Sequence, residues 1–340
     1  MESIFDINNH RISRRKFLAS TSALGAASLL SLPRAASAEP PPEITKLTLL
    51  ENPVTCIAPQ YVVKELLHAE GFSDVRYIKW PTETQKSAPE VFLSGDADLG
   101  LTFVPSDILQ IAAGAPVVIL AGSHIGCVEL VGGPRVKSAR DLAGKKVAMQ
   151  MPRSDGQIFV SMFAKYVGVN PNDIDWVDQS DRWELLAEGK VDAFMCAPPV
   201  SIELRRRNIG HVLVNTTSDA PWSHYFCCLV ASSKDFVHKY PVATKRAVRA
   251  FVKAADLCAL EPNRVARLIA DKGLGSYDNT LQMLREIPYG KWREYDAEDS
   301  VRFFALRMRD VGYLNTTPQK IITQGTDWRF LNELKKELKT

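Results

Sequence analysis

The stretch Gly122-Ser123-His124-Ile125-Gly126-Cys127-Val128-Glu129-Leu130-Val131 decides how this chain is read. Strand–helix units lie on both sides of it. Its Ser-His-x-x-Cys spacing returns about a hundred residues later as Ser223-His224-Tyr225-Phe226-Cys227, which leads into a second apolar run, Cys227-Cys228-Leu229-Val230. The two stretches read as crossing segments, one leaving a first lobe and the other coming back to it. A chain that crosses twice makes two lobes with a cleft between them, and such clefts are where ligands bind. The expected partition puts 46–125 and 228–340 in lobe 1 and 126–227 in lobe 2.

Working outward from that stretch, the first lobe alternates strands with helices. Strands are expected over 46–51, 75–80, 97–103 and 116–121, and helices over 58–67, 82–93 and 106–113, with Gly71 and Ser94-Gly95 as stops. The second lobe repeats the grammar. Its strands fall at 146–149, 175–177, 191–195 and 212–214, a helical turn at 138–142, and helices at 157–166 and 183–186. Pro198-Pro199 precedes a helix carrying Arg205-Arg206-Arg207. Alternation at this rhythm implies parallel sheets covered by helices. The expected class is therefore α/β, with two parallel-core sheets joined by two crossing strands. From Pro241 the chain reads as helices: 242–260, 263–271, 279–286, 296–311, 318–323 and 328–338. Lys245, Arg246, Arg249 and Lys253 lie off the apolar stripe of the first, where a solvated face outweighs a docking face.

The N-terminus reads as an export signal. Ser13-Arg14-Arg15-Lys16-Phe17-Leu18 is a twin-arginine signature, an Ala/Ser/Leu run follows, and Ala36-Ser37-Ala38 is a small-x-small cleavage site. Residues 1–38 are thus a Tat signal peptide and 39–45 a Pro-rich spacer. The signal carries five Lys/Arg and two Asp/Glu, so of 42 basic and 39 acidic residues 37 of each remain after cleavage. A mature chain without net charge has no general pull on nucleic acid or anionic membrane. The expectation is a soluble periplasmic monomer.

Six cysteines in an oxidising compartment suggest disulfides, yet Cys227 and Cys228 are neighbours on an expected strand and should face opposite sides. Buried thiols are the default. A metal site built from His124, Cys127, His224 and Cys227 is the alternative. Residues three apart on a strand face opposite sides, and antiparallel crossings should hold the two histidines about 15 Å apart. No metal and no cofactor are therefore expected. There is no Gly-x-Ser-x-Gly elbow, Walker loop, His-Glu-x-x-His or Cys-x-x-Cys.

Open α/β sheets bind ligands at the carboxyl ends of their strands, where helix N-termini offer unpaired N–H groups. Candidate ligand contacts on those ends are Thr55, Cys56, Gln60, Thr102, Phe103, Ser123, His124, Ser154, Asp155, Gly156 and Cys196. Trp222, before the return crossing, is the expected aromatic wall, with Phe103 and Tyr61 next. Ordinary capping competes for Ser154 and Asp155, and a core role competes for Trp222.

At Leu93-Ser94-Gly95-Asp96-Ala97-Asp98-Leu99-Gly100, at Val136-Lys137-Ser138-Ala139-Arg140-Asp141-Leu142-Ala143-Gly144-Lys145-Lys146-Val147 and at Gly189-Lys190-Val191-Asp192-Ala193-Phe194, the chain resembles a known family. It is that of the ABC-transporter substrate-binding proteins of the nitrate/taurine/sulfonate type, which includes thiamine-pyrimidine-precursor binders. The resemblance implies a two-lobed, type II-like periplasmic-binding-protein fold that closes on a small solute and delivers it to a membrane permease and its ATPase. It implies binding positions at Thr55, Cys56 and Gln60, at Thr102 and Phe103, and at Ser154, Asp155 and Gly156. Candidate solutes are a small organic sulfonate or carboxylate, then a pyrimidine-like heterocycle. Asp155 departs from the small hydroxyl residues common at its position and puts the solute's charge in question. A thiamine-pyrimidine synthase-like enzyme shares this fold, but its cysteine-rich run is matched here by one adjacent pair. The reading is a binding protein and not an enzyme.

Overall fold

The computed structural model describes residues 39–80, 86–178 and 182–338; the export segment expected at 1–38 lies outside them. Among the described residues the strands are β1 (Lys46–Glu51), β2 (Asp74–Lys79), β3 (Leu99–Phe103), β4 (Val117–Ile125), β5 (Glu129–Gly132), β6 (Lys146–Met149), β7 (Asp175–Asp178), β8 (Ala193–Cys196), β9 (His211–Asn215) and β10 (Phe226–Ser233). The helices are α1 (Pro59–Ala69), α2 (Ala88–Leu93), α3 (Val104–Ala112), α4 (Asp155–Tyr166), α5 (Arg182–Ala187), α6 (Val200–Arg207), α7 (Lys234–Lys239), α8 (Pro241–Leu260), α9 (Pro262–Asp271), α10 (Tyr277–Glu286), α11 (Ala297–Asp310), α12 (Pro318–Gly325) and α13 (Arg329–Glu337).

Two five-stranded mixed sheets result, in the orders β2-β1-β3-β10-β4 and β7-β6-β8-β5-β9. In the first, β1 pairs in parallel with β2 and β3 while β10 runs antiparallel to β3 and β4. In the second, β6 is parallel to β7 and β8, and β5 is antiparallel to β8 and β9. Each sheet thus has a three-stranded parallel core and one antiparallel strand belonging to a crossing segment. This is the periplasmic-binding-protein fold expected, with a helical C-terminal region.

Local chemistry explains the elements. β4, Val-Val-Ile-Leu-Ala-Gly-Ser-His-Ile, is buried at every position, as a strand covered on both faces must be. It runs four residues beyond the strand expected over 116–121, which places Ser123 and His124 inside the ladder. Gly122 permits this: a Cβ there would sit 2.5 Å from the Phe226 ring on β10. A capping box of Ser87 and Glu90 starts α2, and the expected helix start at residues 82–85 lies outside the described residues. Helix α8 packs small residues (Ala243, Ala247, Ala250, Ala254) into the core. Two of its basic side chains are paired within the chain: Arg249 with Glu70 at 2.7 Å and Lys245 with Glu333 at 2.9 Å. They fasten α8 to the end of α1 and to α13.

The two sheets share one apolar core. Leu49 and Ile108 beside the first belong to the same buried cluster as Leu130, Val147 and Ile158 around the second. Helix α11 wedges the joint, with Phe304 edge-on to Phe159 of α4 at 5.7 Å.

Candidate functional site

β1, β3 and β4 point the same way, so their carboxyl ends make one edge of the first sheet. Most of the expected contacts gather there. Thr55 and Cys56 lie in a buried 3-10 turn after β1, and Gln60 opens α1. Gln60 is committed to structure: its Oε1 accepts from the Asn52 backbone N–H at 2.9 Å and its Nε2 donates to the Asn52 carbonyl at 2.7 Å. Tyr61 does the same with its hydroxyl, 2.6 Å from the Asn52 carbonyl. Thr102 is buried and donates to Asp107 Oδ2 at 2.6 Å. Phe103 is half-buried at the start of α3.

Three buried atoms on this edge have no hydrogen-bond partner among the described residues: Thr55 Oγ1, Asp107 Oδ1 and Ser123 Oγ. Burial holds the Asp107 carboxyl well above the usual range against the lowering effect of Thr102, with Asp155 adding like charge. Sequence reasoning missed Asp107, which reads as an ordinary acid in the first turn of a helix.

Opposite this edge stands the start of α4. Ser154 is its cap, accepting from the Gln157 N–H at 3.4 Å, so the capping reading holds for Ser154. Asp155 instead reaches across to α3. Its Oδ1 accepts from the Ser106 backbone N–H at 3.0 Å and its Oδ2 from the Ser106 hydroxyl at 2.6 Å. Burial pushes its carboxyl up to about 6, partly offset by the two Ser106 donors. A second bridge runs from the Thr55 N–H to the Pro198 carbonyl at 3.3 Å. Gly156 is half-buried, with ordinary room for a Cβ 3.4 Å from Met195.

Beneath the same edge lies a cluster that shares only His124 and Cys127 with the set weighed from the sequence. Donor atoms of Cys56, His124, Cys127 and Cys228 all lie within 4.8 Å of one another, and all four side chains are buried. Two local irregularities bring them together. In β10, Phe226 pairs with Ile125 and Cys228 with His124, so Cys227 is the extra residue of a β-bulge. Alternation fails there, and the Cys227 and Cys228 sulfurs stand 3.5 Å apart instead of on opposite faces. In the outgoing segment, β4 ends at Ile125 and the chain turns at Gly126 and Cys127, with φ of 64° and 96°. A Cβ at Gly126 would sit 2.4 Å from Thr217 Cα, so glycine is required. The left-handed Cys127 costs about 1–3 kcal/mol, and it swings its sulfur to 3.3 Å from that of Cys227. His124 and Cys127 therefore do not face apart. His224 is exposed on a 3-10 turn and takes no part.

Trp222 is not a cleft wall. It is buried among Phe163, Tyr166 and Phe303, with ring centroids 4.8, 5.7 and 5.4 Å away, and anchors the back of α4. Cys196 is buried at the end of β8, in register with Glu129. Glu129, also missed, is pushed to about 7 by burial, with Arg205 3.5 Å away. A groove of about 300 Å3 opens between α6 and α10, lined by Trp183, Val200, Arg207 and Asn279 among others, and holds none of the expected contacts.

Similarity to known proteins agrees with this architecture. The chain superposes on the periplasmic nitrate-binding protein NrtA from Synechocystis PCC 6803 with a TM-score of 0.73 at 15% identity, over 88% of this chain and 90% of that one. For the periplasmic aliphatic sulphonate binding protein SsuA from Escherichia coli the values are 0.64, 18%, 78% and 86%. For a Candida albicans gene product described as having the generic periplasmic binding protein structural fold they are 0.67, 14%, 83% and 96%. No curated protein matches by sequence. The profile of the NMT1/THI5-like family matches residues 69–265, more than half of the chain, and the chain belongs to that family.

Proposed function

We propose that the chain is the exported solute-binding subunit of an ATP-driven importer, closing two lobes on a small polar organic solute. The observation that carries this reading is the row of buried, unpartnered atoms at one sheet edge: Thr55 Oγ1, Asp107 Oδ1 and Ser123 Oγ. Each costs about 1–3 kcal/mol while unpaired. Opening the lobes and admitting a solute gives them partners. The partition is that drawn from the crossings, 46–125 with 228–340 against 126–227. Residues 1–38 direct export to the periplasm, where the chain acts as a monomer and hands its solute to a permease and its ATPase. It performs no catalysis.

Asp155 sets the solute's charge. In the closed form its carboxylate occupies the N-terminus of α3, where a sulfonate or carboxylate would otherwise sit. A neutral or cationic heterocycle, pyrimidine-like in size, fits beside Asp155, whereas an anion has to displace it. The relatives named for nitrate and sulphonate are therefore guides to mechanism more than to cargo.

A thermal-shift screen of the exported chain tests this, because a ligand that prefers the native state raises the melting temperature. Aminopyrimidines and similar heterocycles should raise it at pH 7.5. Alkanesulfonates should do so only in the Asp155→Asn variant or below about pH 6, the value to which burial pushes the Asp155 carboxyl. An alkanesulfonate acting equally on both proteins at pH 7.5 would overturn the charge assignment. Silence across all solute classes would remove the transport reading.

A further inference from the structure

The solute reading leaves the thiol–imidazole cluster without a task. We propose that Cys56, His124, Cys127 and Cys228 form a closed tetrahedral site for one zinc(II) ion, set at the root of both crossing segments.

Geometry and chemistry agree. The four donor atoms lie within 4.8 Å of one another. Zn–S bonds of about 2.3 Å and Zn–N bonds of about 2.0 Å put neighbouring ligands roughly 3.5–3.8 Å apart, so a contraction of about 1 Å completes the tetrahedron. His124 is already oriented. Its Nδ1 lies 3.1 Å from the Ile125 carbonyl, and as the donor there it leaves Nε2 unprotonated. That Nε2 is buried and has no partner among the described residues. A backbone carbonyl on the far ring nitrogen is the usual support of a metal-bound histidine.

The ligand set selects the ion. Thiolates and imidazole favour soft and borderline cations over magnesium or calcium, and three cysteines with one histidine in a closed shell is a structural zinc arrangement. Binding releases three thiol protons and leaves one net negative charge, where copper(I) would leave two in the same core. Cys227 stays outside the shell. Its thiol donates to the Gly126 carbonyl, with the sulfurs of Cys127 and Cys228 3.3 and 3.5 Å away.

The ion would tie three chain segments: the turn after β1 through Cys56, the outgoing crossing through His124 and Cys127, and the returning crossing through Cys228. It would fix the axis about which the lobes move. Insertion in the reducing cytoplasm would also give a purpose to the twin-arginine signal, which carries folded chains.

The test is metal analysis of the full chain purified without chelator, with cobalt(II) substitution as an optical readout. One equivalent of zinc is expected, along with sulfur-to-cobalt charge-transfer bands and tetrahedral d–d bands in the substituted protein. Stripping the zinc should lower the melting temperature by on the order of 10 °C. Cys227→Ser should keep zinc and spectrum, whereas Cys228→Ser and His124→Asn should lose both, read only on fractions with wild-type circular dichroism. Should those two variants misfold, the cobalt spectrum of the wild type and of Cys227→Ser decides alone. A metal-free chain, a Cys127–Cys227 disulfide in non-reduced peptides, or copper or iron in place of zinc would overturn the proposal. Failure of the solute screen leaves these results unaffected.

Discussion

Helices α3 and α4 face one another across the closed edge, and their first turns are satisfied in different ways. α4 carries its own cap, Ser154, the residue immediately before it in the chain. α3 has no side-chain cap of its own; the Ser106 N–H is met by Asp155 from the opposite side. One N-terminus is therefore capped from its own chain segment, while the other is met from across the edge. That asymmetry makes α3 the end at which a solute's polar group competes and α4 the arm that brings the competitor.

The largest predicted effect comes from unseating the arm. Trp222 holds the back of α4 against Phe163, Tyr166 and Phe303. Trp222→Ala should cost about 3–5 kcal/mol in denaturant unfolding, with solute affinity of the folded fraction little changed. A full loss of affinity at unchanged stability would return Trp222 to the cleft wall. Next is the floor behind α3. Thr102→Val leaves Asp107 Oδ2 without its 2.6 Å donor, and should destabilise the chain by about 1–3 kcal/mol.

Asp155 gives a pH signature of about tenfold. Its pKa is raised to about 6 here by burial, and exposure on opening is expected to return it to the ordinary carboxylate range. The closed form thus binds the extra proton, and closure strengthens as pH falls from 7 toward 4. Between pH 7 and pH 5 the closure constant should rise about tenfold, measured as solute affinity. Asp155→Asn should flatten that profile, although the neighbouring Asp107, also raised by burial, contributes in the same direction. The smallest effect belongs to the self-sufficient helix: Ser154→Ala should cost about 1 kcal/mol and leave the pH profile unchanged.

Much of the fold was legible in the sequence because its signals are local. Strand–helix alternation, stops such as Gly71 and Gly95, and the paired apolar runs around 122–131 and 227–230 led to two parallel-core sheets linked by two crossing strands. The site was less legible because it depends on departures from regular geometry. Period-two alternation separates Cys227 from Cys228, and only the bulge at Cys227 undoes it. Strand periodicity separates His124 from Cys127, and only the left-handed turn at Gly126 and Cys127 reverses that. Asp155 was singled out as unusual, yet its partner Ser106 lies 49 residues away and no spacing rule links them. Trp222 failed for another reason: an aromatic beside a crossing suits a cleft wall and a core equally, and the three rings that claim it come from distant helices.

The account rests on lobes that open and close, with Asp155 as the contact that holds α3 to α4. X-ray scattering of the exported chain beside its Asp155→Lys variant at pH 7.5 tests this most directly. A cation placed against the positive end of α3 should drive the lobes apart, so the variant is predicted to show a larger radius of gyration at unchanged helix content. Superimposable curves for the two proteins would mean one rigid body and would contradict the account.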